Sequence, residues 1–221
     1  MMLGQLLRTG SSVTYTGTID GIPVSVCSTG IGSPSAAIAL EELAAIGADT
    51  FIRIGRSGGL QPNLRVASMV IATGAVRDEG TSRAYLPIEF PAVADLRVVN
   101  ALIDAAAALG VSYRYGIIES KDAFFAEVRP ESMPIAEELQ ARWRAYQRAG
   151  VLCSDMETAA LFVIAHAKKV RAGCVLLVSD NQFAGHRLGP EPSMHDTIGV
   201  GVEAVRRLIR KDANATPGRN G

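Results

Sequence analysis

The stretch Phe51-Ile-Arg-Ile-Gly-Arg-Ser-Gly-Gly-Leu60 begins as an apolar strand and ends in a glycine-rich segment. Phe51, Ile52 and Ile54 form the kind of short apolar run that is typical of a buried strand. Arg53 interrupts this run, and its permanent charge is costly to bury unless an anion or a carboxylate meets it. The glycines that follow predict a tight loop whose backbone can approach a ligand closely. The stretch therefore predicts either an anion site or a strand ending in a glycine turn, with Arg53 paired to a carboxylate.

Outward from this stretch, predicted strands and helices alternate. Asp20-Gly21 is a strong hairpin signal that precedes a strand at 22–28 and a helix at 36–46. The order strand, helix, strand predicts a parallel crossover into the strand that contains Arg53. The pattern continues with strands at 67–73, 113–118 and 173–179 and helices at 95–109, 157–167 and 195–209. This alternation predicts a three-layer α/β domain with a mostly parallel sheet.

Composition narrows the class of protein. A chain of 221 residues predicts a single domain over residues 1–221, with a frayed polar tail from about Lys211 to Gly221. Lys plus Arg and Asp plus Glu number 22 each, and this balance argues against binding to nucleic acid or to a membrane surface. The chain shows no signal peptide and no apolar run long enough to span a bilayer, so we expect a cytoplasmic protein.

Polar or glycine-rich clusters follow several predicted strands. They are Thr29–Pro34, Gly55–Gly59, Ser120–Phe125 and Ser179–Asn181. In α/β folds with parallel strands, ligands bind beyond the carboxyl ends of the strands. The four clusters therefore favour a ligand site that includes the stretch with Arg53.

Two acidic positions could carry chemistry. Ser154-Asp-Met-Glu-Thr158 places two carboxylates at the start of a helix, where they either cap the helix or accept hydrogen bonds from sugar hydroxyls. Asp180 ends an apolar strand, where it either caps a turn or acts as a partly desolvated acid that shares a proton with a ligand. Phe124 packs either in the core or against a ligand. The sequence has no metal-binding histidine pair and no dinucleotide fingerprint, so we expect no metal and no organic cofactor.

Five motifs, in this order, resemble those of nucleoside phosphorylases, in particular the uridine phosphorylase and hexameric purine nucleoside phosphorylase group. They are Val26-Cys-Ser-Thr-Gly-Ile-Gly-Ser-Pro-Ser35, Phe51–Gly59, Glu89–Asp95, Asp155-Met-Glu157 and Val178-Ser-Asp-Asn181. The resemblance covers nearly the whole chain. It implies an α/β/α sandwich with a mixed, mostly parallel central sheet, and the cleavage of a nucleoside by inorganic phosphate to free base and ribose 1-phosphate. It also implies a homo-oligomer based on dimers, of which a hexamer is one form.

The resemblance assigns roles to individual residues. Arg53 resembles the phosphate-binding arginine, Glu157 the carboxylate that holds the ribose hydroxyls, and Asp180 the proton donor to a purine base. Phosphate binding is expected of Arg53, Arg56, Ser57 and Gly58, ribose binding of Met156 and Glu157, base binding of Phe124, Glu127, Arg129 and Asp180, and catalysis of Asp180 and Arg53.

The sequence departs from the family pattern in three places. The family begins with a strand and a Gly-Asp-Pro phosphate loop, and nothing similar precedes Leu6; either the chain starts late or its phosphate site is incomplete. Arg56 stands where the family has Thr or Ser, so it either adds positive charge or fills the pocket. Glu127 stands near a glutamine of uridine phosphorylases and Arg129 resembles their uracil-contacting arginine, whereas Asp180 is of the purine type.

Three functions are therefore open. The leading one is a nucleoside phosphorylase for uridine or a purine nucleoside. The first alternative is a nucleosidase that uses water, which the incomplete phosphate loop suggests. The second alternative is a degenerate nucleoside-binding protein without catalytic activity.

Overall fold

The structure, a computed structural model, describes residues 3–9, 12–181, 183 and 191–215. The strands in chain order are β1 (Leu3–Thr9), β2 (Ser12–Ile19), β3 (Ile22–Ser28), β4 (Thr50–Gly59), β5 (Met69–Asp78), β6 (Ala92–Val93), β7 (Tyr113–Lys121), β8 (Cys153–Asp155) and β9 (Arg171–Asp180). The α-helices are α1 (Ser33–Ala45), α2 (Leu96–Ala108), α3 (Phe124–Val128), α4 (Ala136–Arg148), α5 (Thr158–Lys168) and α6 (His195–Ala215). Short 3-10 helices lie at Thr81–Ala84 and Pro130–Ser132.

The central sheet is mixed. Its strand order is β6-β5-β7-β8-β4-β9, and β5 also pairs with β9. The two longest ladders, β4 with β9 and β5 with β7, are parallel, whereas β8 runs antiparallel to β4. The antiparallel pairing of β5 with β9 joins strands from opposite parts of the sheet order. The predicted mixed central sheet is confirmed.

Helices cover both faces of this sheet. On one face, α2 and α6 pack over β5 and β9, with buried side chains such as Leu102 and Val175 between them. On the other face lies α5, whose Phe162 packs against the sheet, and α1 packs against α5. Asp95 begins α2, because its carboxylate accepts hydrogen bonds from the backbone N–H groups of Arg97 and Val98. This arrangement confirms the predicted α/β class.

The expected parallel crossover from β3 through α1 into β4 is wrong. β1, β2 and β3 form a separate antiparallel sheet, in which β3 pairs with β2 from Val13↔Ser28 to Ile19↔Ile22. The Asp20-Gly21 turn brings these two strands together locally, and Asp20 and Gly21 both adopt positive φ as such a hairpin turn requires. The backbone of β3 thus finds its hydrogen-bond partners in β2 and not in the central sheet. The first strand, β1, was not predicted from the sequence.

The glycines after Arg53 lie inside β4 and do not form the predicted loop. A Cβ on Gly55 would stand 2.8 Å from the Arg53 guanidinium, and one on Gly59 would stand 2.6 Å from the Asn181 amide nitrogen. Both glycines are therefore required for close approach of side chains to a strand rather than for a turn. Their absent side chains make room for polar groups at the carboxyl end of the sheet.

The last helix extends further than predicted. Helix α6 continues through Lys211 to Ala215, where we expected a frayed tail, because Lys211 pairs with Asp104 and Asp212 pairs with Arg171. Residues 216–221 of that predicted tail lie outside the described residues. Among the helices that the structure describes, none combines the length and apolarity needed to cross a membrane.

Candidate active site

Arg53 lies between two carboxylates. Its Nε donates to Asp155 Oδ2 at 2.9 Å, and its Nη2 forms an ion pair with Glu157 Oε2. Only 15% of the Arg53 side chain is exposed. Burial opposes the charge, but Asp155 and Glu157 outweigh that effect and raise the pKa of the guanidinium above its ordinary value. Arg53 is therefore paired with carboxylates, as one of the two interpretations of this stretch predicted.

The junction between β8 and α5 holds both carboxylates in place. Asp155 accepts hydrogen bonds from Ser120 Oγ at 2.6 Å and from the Thr158 backbone N–H at 3.1 Å. Glu157 Oε1 accepts from the backbone N–H of Gly32 at 2.6 Å. The predicted cluster at residues 29–34 thus reaches the same site. Asp155 thus accepts from the first backbone N–H of α5 and also binds Arg53, which supports the capping interpretation for this carboxylate. The binding of sugar hydroxyls by this acidic motif stays a prediction.

Met156 lies beside Glu157 at the same junction. Its backbone carbonyl accepts a hydrogen bond from Ser33 Oγ at 2.7 Å, which fixes the junction against the start of α1. The structure thus brings together Arg53, Met156 and Glu157, the residues that the resemblance assigns to phosphate and ribose.

The other predicted phosphate residues do not gather around Arg53. Arg56 forms an ion pair with Glu191 at 3.0 Å and donates to the carbonyl oxygen of Pro192 at 3.2 Å. The Ser57 hydroxyl is buried and donates to a backbone carbonyl of β9, at 3.3 Å. Both alternatives for Arg56 stay predictions, and in the structure its side chain is directed toward residues 191–192.

A second charged cluster lies beside Asp155 in the β7–β8 ladder, where Ser154, the residue before Asp155, pairs with Glu119. Lys121 Nζ forms an ion pair with Glu127 Oε2 and donates to Ser154 Oγ, and Ser154 Oγ in turn donates to Glu119 Oε2. All three charged side chains are buried, with Glu119 fully so. Burial raises the pKa of Glu119 to about 7 and lowers the pKa of Lys121 below its ordinary value. We call Glu119, Lys121, Glu127 and Ser154 the lysine cluster.

Asp180 faces the lysine cluster across Gly58. A Cβ placed on Gly58 would stand 3.4 Å from Asp180 Oδ1 and 3.4 Å from Glu127 Oε1, so the two carboxylates converge on one glycine. Burial raises the pKa of Asp180, and the charge of Lys121 partly opposes this rise. A carboxyl group in such surroundings retains its proton more readily than one in water, as a proton donor requires.

The two remaining predicted base residues lie at the surface. Phe124 is 44% exposed at the start of α3 and contacts Phe125 edge to face. Arg129 lies over the Phe125 ring with its guanidinium carbon 6.0 Å from the ring centre. The structure therefore places Phe124 beside Glu127 on one short helix, but it does not bring Arg129 into the lysine cluster.

The site also contains Glu119 and Lys121, to which the sequence analysis assigned no individual role, and Asp155, which it named as part of the acidic motif. A signal for them was present, since Glu119 directly follows the apolar pair Ile117 and Ile118 and Lys121 lies two residues further on. Charges at the end of an apolar strand need partners. In the described ranges, no group of three or more His, Cys, Asp or Glu side chains is arranged to hold a metal ion. The site is thus a set of paired charges on β4, at the junction of β8 with α5, and at the carboxyl ends of β7 and β9.

Comparison with known proteins identifies the family of this chain. Residues 5–211 match the sequence profile of the phosphorylase superfamily. The chain is 49% identical over 204 residues to a uridine phosphorylase of Treponema pallidum, covering 91% of this chain and 79% of the relative. It is 47% identical over 208 residues to a uridine phosphorylase of Thermococcus kodakarensis, covering 90% and 72%. It is 39% identical over 196 residues to a guanosine phosphorylase of Halorubrum lacusprofundi, covering 89% and 76%. The chain therefore belongs to the phosphorylase superfamily.

Proposed function

We propose that this chain is a nucleoside phosphorylase, which cleaves a nucleoside with inorganic phosphate to free base and ribose 1-phosphate. The observation that carries the proposal is the buried Arg53 beside Asp155 and Glu157. The names of the relatives, uridine phosphorylase and guanosine phosphorylase, support the same reaction class. A pentosyl transfer of this kind needs an anion site, a ribose site and a base site that adjoin one another.

In this proposal Arg53 binds phosphate and Glu157 accepts hydrogen bonds from the ribose hydroxyls. A phosphate oxygen forms a bond to the C1′ carbon while the bond from C1′ to the base nitrogen breaks. Positive charge develops on the ribose as the bond breaks, and the adjacent phosphate anion stabilises it. Glu157 is placed to hold the sugar because its carboxylate is already fixed by Arg53 and by the backbone N–H of Gly32. Met156, at the same junction, packs under the sugar.

The base leaves with the electron pair of the broken bond and takes up a proton. Asp180 supplies that proton when the base is a purine, since its raised pKa favours the protonated form. Phe124 offers its exposed ring to the face of the base. No metal or organic cofactor takes part, and phosphate is the co-substrate.

The test is base release with and without phosphate. Purified protein is incubated with uridine, inosine or guanosine, and free base and ribose 1-phosphate are both measured. We expect base release only with phosphate, with one ribose 1-phosphate formed per base. If none of these nucleosides is cleaved in a phosphate-dependent way, the proposed reaction is wrong.

One observation favours the hydrolytic alternative. Arg53 is neutralised by two carboxylates and Arg56 is directed toward Glu191, so positive charge for phosphate is limited in the described site. A nucleosidase would release base and free ribose at the same rate with and without phosphate. A non-catalytic nucleoside-binding protein would bind nucleoside without any release of base. The same assay therefore separates the three functions.

We also propose that the protein is a cytoplasmic homo-oligomer based on dimers, as the resemblance implies. Exposed apolar side chains on the separate sheet, including Ile22 and Val26, support self-association. Light scattering at several protein concentrations measures the mass, and a monomer at all of them would contradict the oligomer.

A further inference from the structure

Arg56, on β4, connects the end of β9 to the segment that leads into α6. Its Nη1 donates to Ser179 Oγ at 3.3 Å and to the carbonyl oxygen of Pro192 at 3.2 Å, and its Nη2 pairs with Glu191 Oε2 at 3.0 Å. Ser179 belongs to β9, whereas Glu191 and Pro192 lie shortly before the start of α6 at His195. One guanidinium thus holds three partners, which its planar set of N–H donors reaches together.

Ser179 is an extra residue in the parallel ladder between β4 and β9. Ser57 pairs with Val178 and Gly58 pairs with Asp180, so the register skips Ser179. Because side chains alternate along a strand, one extra residue moves the next side chain to the other face. In a regular ladder Asp180 would share the face of Val178. With the bulge it shares the face of Gly58, and its Oδ1 lies 3.4 Å from the position of a Cβ on that glycine.

We propose that Arg56 is a positioning residue, which holds the Ser179 bulge in place and thereby keeps the Asp180 carboxylate beside Gly58. This inference rests on the proposed phosphorylase function, in which Asp180 gives a proton to a purine base. A bulged residue is left out of the regular ladder, so a side chain from outside the ladder is needed to fix it. The Arg56 guanidinium supplies that contact and joins it to residues 191–192. Arg56 itself touches no reacting atom in this role.

The surroundings of Asp180 determine how the loss of Arg56 can be recognised. Burial is the main cause of the raised pKa of Asp180, the charge of Lys121 on β7 opposes it, and Glu127 on α3 approaches the same glycine. If the bulge relaxes and the carboxylate turns toward water, the pKa of Asp180 should fall. The loss of a nearby positive charge alone would instead raise that pKa. The sign of the shift therefore separates positioning from a direct effect of charge.

The first experiment measures kcat, the KM for phosphate and the pH profile of kcat with inosine and with uridine. For Arg56→Gln we expect kcat on inosine to fall about tenfold and kcat on uridine to fall by less, since the carboxyl remains but is misplaced. The decline of kcat on inosine at high pH, where Asp180 loses its proton, should move to lower pH. In an Asp180→Asn background, Arg56→Gln should cause no further loss on inosine.

Two matched variants control for charge and for the substitution itself. Arg56→Lys keeps the positive charge but not the planar fork that reaches three partners, so its kcat on inosine should fall as well. Full activity of this variant on inosine would show that charge alone suffices and would overturn the positioning role. Arg144→Gln changes an exposed arginine of α4 and should leave every measured quantity unaltered.

The second experiment titrates Asp180 directly and needs no turnover. Aspartate carboxyl groups are isotope-labelled and followed by NMR as the pH is changed, and the Asp180 signal is identified by its loss in Asp180→Asn. A midpoint that moves to lower pH in Arg56→Gln supports the positioning role. A midpoint that stays in place or moves to higher pH overturns it.

The outcomes separate this inference from the proposed function. If nucleosides are cleaved with phosphate but Arg56→Gln lowers kcat on inosine and uridine equally, or changes only the KM for phosphate, the positioning role is wrong and the phosphorylase function stands. If no purine nucleoside is cleaved, the titration alone decides the positioning role. If uridine is not cleaved either, the proposed function fails, and the titration still decides.

Discussion

Gly55→Ala tests whether the position of Arg53 controls phosphate use. A Cβ at this position would stand 2.8 Å from Arg53 Cζ and Nη2, whereas ordinary contacts begin at 3.4 Å. The guanidinium must therefore move by about half an ångström, because it is the flexible end of a side chain and the strand is fixed by its ladders. That movement lengthens the 2.9 Å hydrogen bond to Asp155 and disturbs the ion pair with Glu157.

The expected loss in kcat/KM for phosphate follows from the kind of contact that Arg53 loses. A hydrogen bond to a charged group contributes about 1.5–3 kcal/mol. If the misplaced guanidinium loses one such contact with phosphate in the transition state, kcat/KM for phosphate falls roughly 10- to 150-fold. The free energy of unfolding should change by no more than about 1 kcal/mol, since alanine in a strand restricts the unfolded chain and thereby offsets part of the strain.

The assay measures kcat/KM for phosphate at saturating nucleoside, together with thermal unfolding. Gly199→Ala is the matched control, because its Cβ would meet only Leu109 Cδ1 within 4 Å, at an ordinary contact distance of 3.9 Å. The decisive measurement is Gly55→Ala in an Arg53→Ala background, where no guanidinium remains to be displaced. If Gly55→Ala lowers activity as much there as in the wild type, or leaves phosphate use unchanged on its own, the reasoning is refuted.

Three further predictions concern the carboxyl groups and the core. Glu119→Gln should change how the free energy of unfolding depends on pH. Burial raises the pKa of Glu119 from 4.5 to about 7, so the native state binds a proton more tightly than the unfolded state does. The free energy of unfolding of the wild type should therefore fall by up to about 3 kcal/mol as the pH rises from 4.5 to above 7. Urea unfolding at several pH values would show this fall in the wild type and a smaller one in the variant; parallel curves would contradict it. Asp180→Asn should lower kcat on purine nucleosides by about 100-fold and on uridine by less, because an amide transfers no proton; equal losses would exclude the proton-donor role. Gly173→Ala should destabilise the fold by about 1–3 kcal/mol, since its Cβ would stand 2.2 Å from buried Val98 Cγ1, and an unchanged urea midpoint would contradict this.

Patterns within one element predicted the fold class well. The apolar runs of β4 and β9 and the capped, one-sided apolar face of α2 correspond to observed elements in a mixed sheet with helices on both faces. The hairpin at Asp20-Gly21 was predicted correctly, but the crossover from β3 into β4 was predicted wrongly, because a crossover and a separate hairpin sheet both agree with the order of elements. Which one forms depends on pairing energies that the pattern of a single strand does not contain.

The acidic pair of the site was recognised in the sequence, whereas the lysine cluster was not, because only the former is local in the chain. Asp155 and Glu157 are close in sequence and stand out as an acidic pair. The lysine cluster depends instead on the β7–β8 ladder, in which Glu119 pairs with Ser154 although the two are 35 residues apart in the chain. Only the register of that ladder places the Ser154 hydroxyl between Glu119 and Lys121. The close approach to Gly55 also arises from three-dimensional packing, so the sequence indicated a turn there.

The pairing of Arg53 with two carboxylates has a consequence for the order of binding. A guanidinium that Asp155 and Glu157 already neutralise attracts free anions weakly. Under the proposed function, ribose hydroxyls compete with Arg53 for Glu157, and a nucleoside that wins this competition uncovers positive charge for phosphate. Thermodynamic linkage makes the effect mutual, so phosphate tightens nucleoside binding by the same factor. Sugar and anion would then enter as cooperating ligands, and anions that arrive without a sugar would bind poorly.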